Sequence, residues 1–405
     1  MSLYQVTAYR RQSGYGTSAT NHAMNSTLSG IFVYLFLFLM CLTSTAQIGG
    51  NNTYESLNLV TSARIAALGG NAISIRDDDV DLAWQNPSLL SPSMDNHFVM
   101  SFVDYIADIK YTSFVYSKTY DKIGSFSAGF NYLHYGTFQE ADATGLITRE
   151  FTAQDFIINI GWGREVVPSF KFATDKELDL DSTFFIGANL KFINSTYHFD
   201  YHSMGIALDL AATYYNEERN LAIAVLVKNI GYQLKPYVKK NREPLPFEWQ
   251  LGISHKLKHA PFRLMANFTD LQKWDLTYED PAATGSLLEP EETDTTAWQK
   301  FGSALKGGTD KFMRHMIVGV ELILSRSFII RFGYNYRRRK EMLIVGKKGF
   351  SGFSFGLGIK IKKFHISYAR AGYHIAGGSN HFTIRTDLSA FYTKKNKDIY
   401  PFIME

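Results

Sequence analysis

The residues of this chain that could do chemistry fall in a few clusters. Asp77-Asp78-Asp79, with Asp81 just beyond, supplies enough carboxylate oxygen to attract a hard cation. Consecutive carboxylates cannot all converge on one ion, however, and no spaced calcium-loop pattern follows. A plug turn held by Lys and Arg of a surrounding barrel wall is the expectation. His198 and His202 flank Phe199-Asp200-Tyr201 with no third ligand signalled nearby, so a surface loop is expected there rather than a metal centre. Gly69-Gly70 lacks the Lys-Ser or Lys-Thr of a phosphate loop and reads as a close-packed turn. No Gly-x-Ser-x-Gly nucleophile elbow or His-Glu-x-x-His zinc motif occurs. The single cysteine, Cys41, lies in an apolar run. With no nucleophile beside a base, the chain is expected to be no enzyme and to need no cofactor or metal.

The elements that carry these residues are better signalled. The chain is 45% hydrophobic and 15% aromatic, which excludes a disordered class. Its net charge of +4 is spread along the length, so no nucleic-acid footprint is expected. The one basic run, Arg337-Arg338-Arg339-Lys340, reads as a solvated loop between strands. An apolar core at Ile31–Leu42 is too short to span a bilayer and is followed by Ser44 and Ala46. It reads as a signal peptide cleaved after Ala46, with Met24 an alternative start. A lipoprotein reading fits poorly, because Met40 precedes Cys41 where a small residue is expected. A mature chain without cysteine has no disulfide framework.

After residue 46 no apolar stretch reaches the length of a membrane helix, yet two-residue alternation recurs. Phe353, Phe355, Leu357, Ile359 and Ile361 alternate with Ser354, Gly356, Gly358 and Lys360. Phe184, Ile186, Ala188, Leu190 and Phe192 alternate with Phe185, Gly187, Asn189 and Lys191 in the same way. A soluble sandwich also alternates, so length decides: these segments match a tilted strand crossing a hydrocarbon layer, roughly 9–11 residues, rather than the shorter soluble strand. The expectation is an all-β transmembrane antiparallel barrel of about fourteen strands. Strands are placed near 97–106, 109–118, 123–134, 153–164, 182–194, 204–215, 219–229, 247–257, 262–270, 313–324, 327–337, 351–362, 363–371 and 381–391. Connections after odd-numbered strands should be long and those after even-numbered strands tight, with exceptions at Ala107-Asp108 and 165–181. Tyr105, Tyr116, Tyr132, Tyr135, Tyr214, Tyr215, Tyr336 and Tyr368 sit near segment ends, where rings can lie at the headgroup level. Asp209, Arg331, Lys191 and Arg337 are expected to face the lumen.

Residues 47–96 do not alternate. Their small residues, Gly pair and Asn-Pro turn suit a plug, or hatch, confined within the barrel at 97–395, with 396–405 a tail. The stretch from Ser62 through Ala63, Arg64, Gly69 and Gly70, then Asp77-Asp78-Asp79, Trp84-Gln85-Asn86-Pro87 and Leu89-Leu90, resembles the N-terminal signature of the PorQ family, outer-membrane barrels of the Bacteroidetes type IX secretion system. Phe102–Tyr111 resembles the first hairpin of that family. The Ala-Leu-Gly-Gly and Asn-Pro elements are similar to those of the wider fatty-acid-transporter-like barrels, including PorV. The resemblance implies a fourteen-stranded barrel with a hatch, displaying or anchoring cargo at the cell surface with PorZ, PorU and PorV-like proteins as partners, besides outer-membrane lipid.

The longest connection, about 271–312, carries Trp274, Glu279, Asp280, Glu289, Glu291, Glu292, Asp294 and Trp298. It reads either as an acidic docking loop for a protein partner or as a solvated cap. A second functional class is a transporter of hydrophobic small molecules. A kinked strand with a lateral opening favours that class, and an unbroken wall favours anchoring. Gly129, Gly187, Gly252 and Gly333 mark such a kink or make room for the plug.

Overall fold

The computed structural model of the chain describes residues 52–166, 182–277, 307–342, 349–374 and 377–392. The signal-peptide reading and the tail from 396 lie outside the described residues. Fourteen strands close into one antiparallel barrel, each paired with its neighbours in sequence. They are β1 (His97–Asp104), β2 (Lys110–Tyr120), β3 (Gly124–Ala141), β4 (Ile147–Val166), β5 (Ser182–His198), β6 (Tyr201–Asn216) and β7 (Leu221–Lys235). The ring continues through β8 (Glu248–Lys256), β9 (Phe262–Phe268), β10 (Met316–Ser325), β11 (Phe328–Asn335), β12 (Phe353–Ile361), β13 (Phe364–His374) and β14 (Gly377–Asp387). The seam is β1 on β14, in register from His97↔Asp387 to Asp104↔Asn380.

The alternation carries through to the two faces of the wall. On β12, Phe353, Phe355, Leu357, Ile359 and Ile361 are exposed on the outside, whereas Ser354 is 3% exposed on the inside. On β5, Phe184, Ile186, Leu190 and Phe192 face out, with Asn189 and Lys191 buried within. A wall that is apolar outside and polar inside reverses the soluble pattern and is stable only with its outer face in lipid. No helix among the described residues is long and apolar enough to cross a membrane; the crossing is made by strands.

Strands β3 to β7 run to 15–20 residues, beyond the expected span. On β4 the outward apolar row Trp162, Ile160, Ile158, Phe156 gives way to Gln154, Thr152 and Glu150, so this side of the wall stands taller than the apolar belt. This corrects the expected loops after the third, fifth and thirteenth strands, the first of which shrinks to residues 142–146 because the β3–β4 ladder continues to Ala141↔Ile147. The β5–β6 ladder continues to His198↔Tyr201 and the β13–β14 ladder to His374↔Gly377, leaving two-residue connections. His198 and His202 accordingly lie on strands, where the His202 ring contacts Thr196 Oγ1 and Phe199 O at 2.9 and 2.7 Å. The basic run is also corrected. Tyr336–Glu341 is a short helix, with Arg337 paired to Asp270 and Glu341 and the Arg338 guanidinium 4.0 Å from the Tyr373 ring centre. Asn335 caps it by accepting from the Arg338 N–H at 2.9 Å, a start that needs no apolar periodicity.

Inside the ring lie residues 52–96, built from short helices: Glu55–Asn58, α1 (Ala63–Ala67), α2 (Val80–Gln85), Pro87–Leu89 and Pro92–Met94. Every residue of α1 is buried. At α2, the Asp79 side chain caps the helix by accepting from Asp81 N–H. Asn86 caps the next turn through Ser88 N–H, with Pro87 at its first position, where a missing N–H costs nothing. Such short helices are not stable alone; the wall holds them.

Candidate functional site

The plug signature does its work through contacts with the wall. Arg64 projects from α1 into a buried ion cluster. Its guanidinium lies 2.8 Å from Glu321 on β10, 2.7 Å from Asp77 and 3.0 Å from Asp79. Arg263 on β9 reaches Asp77 at 3.1 Å and Glu321 at 2.7 Å, and Arg331 on β11 reaches Glu321 at 2.8 Å. Arg385 on β14 reaches Asp78 and Asp79 at 3.3 and 3.4 Å. The acidic turn is thus held by Arg263 and Arg385 of the wall and by Arg64 of the plug itself, which an expectation of wall cations alone did not include. Burial alone would raise the Asp77 carboxyl, but Arg64 and Arg263 outweigh it and hold Asp77 below the usual carboxylate range.

The rest of the signature is tied to other strands. Ala63 N–H donates to Thr383 Oγ1 on β14 at 3.0 Å. Asn71 donates to Gln250 on β8 and its carbonyl accepts from Asn267 on β9, at 2.8 and 2.9 Å. The Trp84 carbonyl accepts from Asn189 on β5 at 3.2 Å, and Ser88 shares a hydrogen bond with Thr213 on β6 at 2.7 Å. Asn86 donates to Ile73 O at 2.6 Å, folding the plug onto itself. Met94 O accepts from Ser117 on β2, and Tyr54 pairs with Ser203 on β6. Gly69 and Gly70 have φ of +95° and +98°, the left-handed region that favours glycine, which explains the pair.

The wall makes room in turn. A Cβ on Gly333 would lie 2.1 Å from Gly69 N, and one on Gly187 2.3 Å from the carbonyl carbon of Pro87. A Cβ on Gly252 would lie 2.6 Å from the Ile73 side chain of the plug and 2.5 Å from Asn267 Oδ1 on the neighbouring strand. Gly129 differs: its Cβ would meet the Phe114 backbone on β2, so it relieves crowding within the wall. Of the tyrosines assigned to a headgroup belt, Tyr105, Tyr135 and Tyr215 turn inward. Tyr105 donates to Val60 O at 2.9 Å, Tyr135 donates to Asp155 at 2.8 Å, and the Arg76 guanidinium lies 5.7 Å from the Tyr215 ring centre. Asp209, Arg331 and Lys191 are buried on the inner face as expected, whereas Arg337 lies on the helix after β11.

Beside β7, among the described residues, the wall is interrupted, and the gap is covered. The β7–β8 ladder ends at Lys228↔Glu248, beyond a bulge at Asn229, which has φ +58°. β7 continues to Lys235 without β8 beside it. The connection 236–247 closes the gap: Asn229 donates to Pro246 O at 2.8 Å, Glu243 N–H to Gln233 at 2.8 Å and Thr53 N–H to Pro244 O at 2.9 Å. Around it Tyr232, Leu234, Val238, Phe247 and Trp249 are exposed.

Between plug and wall remains a chamber of about 70 Å³, lined by Leu57–Thr61, Asp81, Trp84, Tyr111, Asn131, Asn159, Lys191 and Lys228 among others. Sequence reasoning singled out neither this chamber nor Glu321, Arg263 and Arg385. Lone charged residues at inward parity in otherwise apolar strands were the available signal for those three. Of the acidic connection, Trp274 is exposed and its ring lies 5.7 Å from that of His315. Glu279, Asp280, Glu289, Glu291, Glu292, Asp294 and Trp298 lie outside the described residues.

No protein-family model matches the chain, and no curated protein matches it. Solved structures similar to it include the Pseudomonas putida toluene transporter TodX, at 11% identity and TM-score 0.44, covering 81% of this chain and 97% of that one. The Ralstonia pickettii toluene transporter TbuX is similar at 12% identity and TM-score 0.42, covering 82% and 99%. A Pseudomonas aeruginosa FadL homologue is similar at 8% identity and TM-score 0.38, covering 81% and 98%. Identities this low carry no statement about ligand or partner.

Proposed function

We propose that the chain works in the outer membrane as a component of a type IX protein-secretion assembly, anchoring or displaying surface cargo through contacts with PorZ, PorU and PorV-like proteins. The observation that carries this reading is the filled lumen. A plug tied to strands around the ring, and fixed by a buried ion cluster, leaves the rims and connections as the working surfaces. In single-chain barrels the tight-turn end faces the periplasm. The tall wall of β3–β7 and the described ends of the β9–β10 connection, 269–277 and 307–315, then stand outside the cell, where partners meet them. The link to this secretion system rests on the plug signature from Ser62 to Leu90. Affinity purification of the intact protein from outer membranes should recover surface secretion proteins, and a deletion strain should lose displayed cargo. Normal display in that strain counts against the reading.

A second reading, passage of hydrophobic small molecules, is favoured by the covered interruption beside β7 and its apolar surround. Deleting residues 236–247 separates the two. A gain in uptake of an apolar solute with cargo display intact supports transport, and loss of display without uptake supports anchoring.

A further inference from the structure

The outer face of the wall carries a groove at its tight-turn end. It has a volume of about 700 Å³ and is floored by Leu221, Leu257 and Ala260, between the β6–β7 and β8–β9 turns. The two turns are tied together by Lys256 N–H, which donates to Asn220 O at 3.1 Å. Side-chain parity places the groove on the lipid side. Leu221 shares the outward row of Ile223 and Val225, and it lies opposite His255, which shares that of Ile253 and Leu251. The rest of the lining is basic: Arg219, Lys258 and His259, with His255. Among the described residues no carboxylate lines the groove, and neither Arg219 nor Lys258 is ion-paired. Glu217 and Glu218 precede Arg219 in its turn but stand outside the lining. The Nδ1 of His255 is buried there without a hydrogen-bond partner, a cost that a bound group would remove.

An apolar floor under a basic mouth matches an amphiphile with a negatively charged head. Because the tight-turn end faces the periplasm, the leaflet at this level is the inner one. We propose that the groove seats one anionic phospholipid of that leaflet, its phosphate against Arg219 and Lys258 with a hydrogen bond from His255, and its chains running on over Ile223 and Ile253. Neighbouring turns of the same rim add to the field. Arg326 joins β10 to β11 and Lys362-Lys363 joins β12 to β13, with no Asp or Glu among residues 256–263, 325–328 or 360–365. Basic side chains at a membrane surface concentrate anionic lipid. Charge alone would equally suit an acidic periplasmic protein. The floor favours lipid, because it continues into outward rows that hydrocarbon already covers. The site lies at the opposite end of the wall from the long connections, and it is independent of whether the barrel anchors cargo or passes a solute.

The test uses the full-length protein, delipidated in detergent, with phosphatidylglycerol or phosphatidylcholine of identical chains added and bound lipid counted by native mass spectrometry. Wild type should hold one phosphatidylglycerol about tenfold more tightly than phosphatidylcholine, since each basic side chain near an anionic head adds a several-fold preference. The double variant Arg219→Glu, Lys258→Glu should erase that preference. Leu257→Trp, which fills the floor and leaves the charges in place, should weaken phosphatidylglycerol binding. Lys122→Glu, in the exposed β2–β3 turn on the same rim, should bind as wild type does. Each variant is compared only as folded barrel, identified by its heat-modifiable gel mobility. Equal retention of the two lipids overturns the proposal, and so does a preference that survives in the double variant. If glycerol phosphate competes as well as whole lipid and Leu257→Trp has no effect, the groove takes a free anion and the proposal fails. It fails equally if a polyglutamate peptide binds at Arg219 and Lys258 and the lipids do not.

Discussion

Glu321 is the shared acceptor of Arg64, Arg263 and Arg331, and it is 0% exposed. Removing one member of a buried pair strands the other charges, at about 3–5 kcal/mol. Glu321→Ala should therefore loosen the plug, seen as new protease cleavage within residues 52–96, while the barrel keeps its heat-modifiable gel mobility. Asp81 responds to pH in the opposite sense from Asp77. Burial, with Asp79 nearby, pushes its carboxyl up to about 7 in the fold against 3.8 as the ordinary value. Folded protein keeps that proton as pH rises from 4 to 7 while unfolded chain loses it, so stability falls across this window. Asp77 works the other way, its contribution being lost as pH drops below the ordinary carboxylate value. Asp81→Asn should flatten the decline between pH 4 and 7 and raise stability at pH 8 by a few kcal/mol. Melting curves across that range check it. At this scale the sequence showed the acidic turn and its need for basic partners. It did not show which arginines, because pairing across 186 to 307 residues depends on the order and register of strands.

Elements were the more legible level. Alternation located strands to within a few residues at most ends, because period-two burial is imposed by a wall with lipid on one side and packed polar groups on the other. It misjudged β3 to β6 at their far ends, where the wall leaves the apolar belt and the outward row turns polar without the ladder stopping, and it ended β7 six residues early, at the bulge by Asn229 that shifts the alternation. Plug helices were invisible to periodicity, since a helix surrounded on all sides shows no amphipathic stripe. The glycines of the wall give an element-level test. Gly333→Leu and Gly187→Val push side chains into the plug backbone and should expose residues 52–96 to protease with the barrel intact. Gly129→Val crowds β2 instead and should lower the yield of folded barrel, read on the same gels.

For the whole molecule, the decisive property is a surface turned inside out. Leu357, midway along β12 and 40% exposed, should face hydrocarbon. Leu357→Arg is expected to cost about 2–4 kcal/mol in folding into vesicles, as charge at the bilayer midplane does. A denaturant titration in lipid vesicles measures it, with Ser354→Ala on the inner face as the near-neutral comparison. Excising residues 52–96 should convert a closed barrel into one that conducts ions across a planar bilayer, since the polar inner row would then line an aqueous path.

A lumen this full also constrains the order of events during biogenesis. The plug precedes β1 in the chain, yet its bonds reach β14, and the β1–β14 seam completes the circle. Nothing so irregular threads through a finished ring, so the sheet must be wrapped around its filling and sealed last. A plug peptide offered afterwards to a plugless barrel should therefore fail to dock, whereas the two mixed before refolding should assemble.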